Sequence, residues 1–152
     1  MRHFKDEDIP KDALDKIMAM LPFTPTASNA DSLHFSIVTG REKIAAGEDI
    51  IYRGAPVLIA VGVEKERMAP PHHGIVDAAI ALTFVDLYAQ SLGLGAVWCG
   101  LALHAALRNP EVLAQLEIPE QYALCYTMLL GVPAVKYART VQPEPFSMKI
   151  VR

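Results

Sequence analysis

Only two of the 152 residues are cysteines, Cys99 and Cys125, and they stand in no Cys-x-x-Cys arrangement. A disulfide framework and a zinc site are therefore both unindicated, and a reducing, cytoplasmic setting fits. Long charge runs are missing too. The net charge is -3, and nowhere do five like charges follow one another. The electrostatic footprint of a nucleic-acid binder is absent. No apolar run reaches the roughly 20 residues of a membrane span. The longest, Leu92 to Leu107, is broken by glycines and His104. The charged opening, Met1-Arg2-His3-Phe4-Lys5-Asp6-Glu7-Asp8, has no apolar centre of the kind a signal peptide needs. The expectation is a cytoplasmic protein with neither a nucleic-acid nor a membrane partner. Charged residues make up 20% of the chain against about 25% in an average soluble protein. Hydrophobic residues reach 52%. Such a chain is not disordered, and its surplus of apolar surface predicts a subunit interface. The length suits one domain, covering residues 1–152.

Recognised catalytic motifs are also missing. There is no phosphate-binding Gly-x-x-x-x-Gly-Lys-Ser/Thr and no Gly-x-Ser-x-Gly. Gly93, Gly95 and Gly100 depart from Gly-x-Gly-x-x-Gly and follow a helix instead of opening one, so a Rossmann dinucleotide site is not expected. His72 and His73 have no second ligand cluster beside them in sequence, and no metal site is expected. His104, on an apolar stretch, reads as a hydrogen-bonded core or interface residue. Cys99 has no cationic neighbour in sequence to lower its pKa, so it reads as small packing next to Trp98.

What is present is periodicity. Lys11 to Leu21 reads as a helix with Pro10 at an early position, Leu14, Ile17, Met18 and Leu21 on its buried face, and Pro22 as its end. Phe23 to Ser32 is a polar turn. Leu33 to Val38 alternates as a strand with Leu33, Phe35 and Ile37 on one face. A short helix is possible around Glu42 to Ala46. Ala55 to Val63 is almost continuously apolar, the mark of a central strand buried on both faces. Glu64 to His73 reads as a charged loop. Gly74 to Ser91 is apolar on most sides, a long buried helix closed by Gly93. Gly95 to Gly100 is a short strand or turn. Asn109-Pro110-Glu111 is a helix-start signature leading into Val112, Leu113 and Leu116. Tyr122 to Leu130 is a further strand. The tail from Lys136 has no periodicity and reads as an extended segment on a surface, conceivably that of a partner subunit. Strands and helices mix without strict alternation, so the fold class is α+β.

Taken in order, several segments resemble the nitroreductase family. They are Arg2-His3-Phe4 with Asp8-Ile9-Pro10, Pro25-Thr26-Ala27-Ser28-Asn29, Gly54 to Ile59, and Asp77 to Leu87 with Ser91 to Gly95. Trp98-Cys99-Gly100, Leu130-Gly131-Val132-Pro133 and Lys136-Tyr137-Ala138-Arg139 complete the set. The C-terminal half is similar to a branch often fused to a ferredoxin, although this chain has no cysteine cluster to match. The resemblance implies a three-layer sandwich around a mainly antiparallel sheet. It implies an FMN-dependent homodimer with flavin at the interface, passing hydride from NADH or NADPH to a small electron-poor acceptor such as a nitroaromatic or quinone. No acid–base side chain need be catalytic. The cofactor-binding residues it implies are Arg2, His3, Pro25, Thr26, Ser28, Asn29, Trp98, Cys99, Gly100 and Arg139. In that scheme Arg2 and Arg139 take the phosphate, the Pro25–Asn29 turn comes from the neighbouring subunit, and Cys99-Gly100 lines the reactive edge of the ring. Asp31-Ser32 in place of the family's Gln-Pro, a short stretch between Val38 and Ala55, and Pro143 where an arginine is common leave a second reading. That alternative is a dimeric binding or structural module with weakened or lost FMN binding.

Overall fold

The computed structural model describes residues 3–40, 49–70, 72–138, 142–144 and 146–151. Arg2, Arg139 and the helix expected around Glu42 to Ala46 lie outside the described residues.

Helix α1 runs Lys11–Met20, with Pro10 at its cap instead of inside its first turn, and passes into a 3-10 turn, Leu21–Phe23, that contains Pro22. Its buried face is Ala13, Ile17 and Leu21, while Met18, expected inside, faces outward. Strand β1 is Leu33–Thr39, α2 a single turn at Asp49–Tyr52, and β2 Val57–Glu64. The charged segment after β2 is not all loop, since Lys65–Arg67 forms a 3-10 turn. The long helix α3 spans Gly74–Ser91, β3 Gly95–Trp98, α4 Gly100–Arg108, α5 Pro110–Gln115 and β4 Tyr122–Gly131. Asn109 caps α5 as its sequence predicts, its side-chain oxygen accepting the Glu111 N–H at 3.0 Å. Helix α4 falls in the apolar stretch that carried no helix expectation.

The four strands form one antiparallel sheet in the order β1-β2-β4-β3. Because side chains alternate along a strand, β2 feeds two cores at once. Val57, Ile59, Val61 and Val63 pack under α1 and α3 with Ile17, Leu82, Val85, Met128 and Leu130. Leu58 and Ala60 face the other way, into a cluster with Cys99, Ala102, Ala106, Leu116 and Leu129 beneath α4 and α5. This is a three-layer α+β sandwich, and it explains why β2 is a continuous apolar run.

Helix α3 ends in a Schellman turn: the Leu94 N–H reaches Ala89 C=O at 2.9 Å and the Gly93 N–H reaches Gln90 C=O at 3.0 Å. Gly93 adopts φ +78°, where a side chain would be strained. The helix is not buried on most sides within the protomer. Asp77, Ala78, Ala81, Leu82, Val85 and Ala89 are inside, but Ile75, Val76, Phe84 and Leu87 are exposed, Leu87 by 63%.

Candidate functional site

The described candidate site residues fall into two groups. The first lies where the chain's beginning meets the end of β4. Lys5 N–H donates to Val132 C=O at 2.8 Å, and Ala134 N–H donates to His3 C=O at 3.0 Å. Between these bonds Phe4 bridges to Pro133, and its ring lies so close over Gly131 that a β-carbon there would collide with it. His3 is thereby seated beside Ala134, with its side chain exposed. The pairing joins His3, Phe4 and Lys5 to the segment that follows β4. Phe4 packs into the same cluster as Cys99.

Cys99 itself is held from three sides. Its N–H donates to Thr127 C=O at 2.9 Å, its C=O accepts from Thr127 Oγ1 at 2.6 Å, and its thiol donates to Ile51 C=O at 3.5 Å. At 4% exposure it packs as a small apolar residue, as expected. Gly100 follows as the first residue of α4, whose N-terminus has no side-chain cap. No side chain at its N-cap takes up an early backbone N–H group. Trp98, half-buried at the end of β3, meets Tyr126 edge-on with ring centroids 5.3 Å apart. His104, on α4, is exposed; it is not a core residue.

The second group is the Pro25–Asn29 turn, on the α3 side of the sheet. Ala27–Asn29 is a tight 3-10 turn in which Ser28 (φ 60°) and Asn29 (φ 50°) both occupy the left-handed region. Two successive non-glycine residues there cost free energy that surrounding contacts must offset. The principal contact is Asp77: from the first turn of α3, and only 3% exposed, its carboxylate accepts the Ala27 N–H at 2.8 Å. The Thr26 C=O also accepts the Asn29 N–H at 3.2 Å. Pro25, Ser28 and Asn29 are exposed and Thr26 is half-buried. Thr26, Asn29, Asp31 and Phe35 contribute to an open groove of about 370 Å³. Ser32 borders it too; its hydroxyl is the only buried side-chain oxygen without a protein partner among the described residues.

The structure thus places Cys99 in the layer beneath α4 and α5, packs Trp98 against the other core, and sets Thr26, Ser28 and Asn29 in the turn held by α3. The sequence reading passed over Asp77 and Thr127 as site residues. Asp77 left a signal, a lone acid on the face that also carries Ala81 and Val85. Thr127 left none.

Nitroreductases share this architecture. A solved nitroreductase from Bacteroides fragilis superimposes with a TM-score of 0.78 at 23% identity, over 97% of this chain and 91% of that one. A nitroreductase from Desulfitobacterium hafniense, solved with bound FMN, gives 0.75 at 26% identity, over 93% and 88%. In sequence, residues 42–132 match the model of the nitroreductase family. A protein of Methanothermobacter thermautotrophicus with the provisional name NADH dehydrogenase/NAD(P)H nitroreductase is 30% identical over 140 residues, 88% of this chain and 72% of its own. The chain belongs to the nitroreductase family.

Proposed function

We propose that this chain is a homodimeric, FMN-dependent oxidoreductase that takes hydride from NADH or NADPH and passes the electrons to a small electron-poor acceptor, such as a nitroaromatic or quinone. The observation that carries this reading is the family match, which runs through Trp98-Cys99-Gly100 and is accompanied by an FMN-containing relative of the same fold. Family membership favours the enzyme over a binding module without turnover.

The residues present suit such a cofactor. Bound FMN would supply the hydride-transfer chemistry, which amino-acid side chains do not provide. The uncapped start of α4 offers backbone donors where negative charge develops, without a charged side chain. The Tyr126 hydroxyl lies near Gly100, and its ring meets Trp98 edge-on. Arg2 and Arg139 are the cations assigned to the phosphate, a dianion that guanidinium groups bind in bidentate fashion. Thr26, Ser28 and Asn29 serve the site of a second copy, because within one protomer they occupy the opposite layer from Cys99. Shielding the exposed Ile75, Val76, Phe84 and Leu87 of α3 is the driving force for that second copy.

The test is the visible spectrum of the purified protein after incubation with FMN and desalting. Retained flavin absorbance that bleaches on adding NADH or NADPH is expected. A colourless protein, unaffected by added FMN, contradicts the proposal.

A further inference from the structure

We infer, on the basis of the flavin reading above, that Thr127 is a positioning residue whose buried hydroxyl locks the Cys99–Gly100 peptide, so that the Gly100 N–H faces outward as the donor to the reacting edge of the flavin. Thr127 sits in β4 and is fully buried. Strand β3 has ended at Trp98, yet Cys99 remains attached to Thr127 by both of its backbone polar groups. Its N–H goes to Thr127 C=O at 2.9 Å, and its C=O takes the Thr127 hydroxyl at 2.6 Å.

The Cys99 C=O and the Gly100 N–H belong to one planar peptide unit, and in a trans peptide they point in opposite directions. Holding the carbonyl against β4 aims the N–H away from the sheet. A hydrogen bond to the carbonyl also polarises the peptide and strengthens its N–H as a donor.

Merely satisfying a buried carbonyl would not need this hydroxyl, because the same oxygen already accepts the first bond of α4, from Leu103 N–H at 3.3 Å. The second, shorter bond adds direction. The Cys99 thiol, tied to Ile51 C=O, restrains the same residue from the α2 side. Among the described residues, a β-carbon at Gly100 would meet only the Tyr126 hydroxyl, at 3.4 Å.

The first test needs no substitution. In the isotopically labelled wild-type chain without FMN, amide hydrogen exchange should be slow at Cys99 and fast at Gly100, and adding FMN should slow Gly100. A Gly100 amide already protected without FMN overturns the assignment. So does one that FMN leaves unchanged while the flavin is demonstrably bound.

The second test compares Thr127→Val, which removes the hydroxyl at similar volume, with Thr127→Ser, which keeps it. In single-turnover mixing with NADH or NADPH, flavin reduction should be roughly ten- to a hundredfold slower in the valine variant, the scale of a misaimed donor, with FMN affinity retained. The serine variant should restore the rate. A folded valine variant that reduces its flavin at the wild-type rate refutes the positioning role. If the valine variant does not fold, the exchange contrast and the serine variant decide. Failure of the wild-type chain to take up FMN at all would fault the flavin reading; binding without a response at Gly100 would fault Thr127 alone.

Discussion

Asp77 shows how one side chain can hold a strained turn in place. Its carboxylate, inside the protein, takes the Ala27 N–H and so offsets the cost of left-handed Ser28 and Asn29. Asp77→Ala should lower unfolding free energy by about 1–3 kcal/mol, the cost of a lost hydrogen bond to a buried charged group, and Asp77→Asn by less, as read by denaturant titration. Gly100→Ala separates fold from site. Its backbone is not left-handed and a β-carbon would make an ordinary contact with the Tyr126 hydroxyl at 3.4 Å, so melting should be unchanged or slightly raised, alanine being the better helix former. FMN affinity should nevertheless fall, because the added methyl would stand where the ring edge is proposed; unchanged affinity would move the cofactor elsewhere. Burial raises the Cys125 thiol above its ordinary 9.0, and burial with the neighbouring Cys99 raises the Tyr52 hydroxyl above 10.0. In both cases the folded state keeps its proton where the unfolded chain loses it. Stability is therefore fully present below about pH 9 and declines as pH rises through the raised values. Cys125→Ser should flatten the start of that decline in alkaline denaturation curves. At this scale the sequence was partly legible. Asn29 and Ser28 announce a turn because short polar side chains tolerate left-handed backbone. Thr127 announced nothing, because its partner Cys99 is 28 positions away and a threonine in an apolar strand looks like packing.

Among the elements, α3 was the most readable, since both its ends are chemical. Gly74 opens it and Gly93 closes it in a left-handed turn. Gly93→Ala should cost about 1 kcal/mol, measured by thermal unfolding, because the strain is backbone strain and no neighbour lies within reach to compensate. Strand β2 was readable for a different reason: a strand packed on both faces has no polar alternation to show. Helix α4 was missed because an apolar stretch with no capping side chain has no start signal, and only His104 and Arg108 mark its polar face. Its uncapped start is the feature on which the proposed flavin contact rests. Met18 went astray through a small rotation. Placing Ala13, not Met18, beside Ile17 turns the buried stripe of α1 by about one residue.

For the molecule as a whole, the sheet divides the protein into two cores that share β2 and β4. Ile59→Ala, at a fully buried position in the middle of β2, should cost about 2–5 kcal/mol, and denaturant unfolding should measure it. On the outside, Leu87→Glu should change protomer stability little, since surface substitutions usually act within about 0.5 kcal/mol. It should nevertheless turn the proposed dimer into a monomer in sedimentation and lower flavin retention with it. A variant that stays dimeric would place the interface on another face.

Local chemistry in the sequence specifies the long helix and its glycine stop, the doubly buried strand, the asparagine cap and the polar turn, because each depends on residues a few positions apart. The layers arise differently. Thr127 meets Cys99, Asp77 meets Ala27 and Cys99 meets Ile51 across 28, 50 and 48 positions, and His3 meets Ala134 from opposite ends of the chain. Such contacts form only when the sheet has set strand order and register, and hydrogen bonds a few ångströms long leave no periodic trace in the sequence. The candidate site is made of these contacts, which is why its arrangement could not be read in advance.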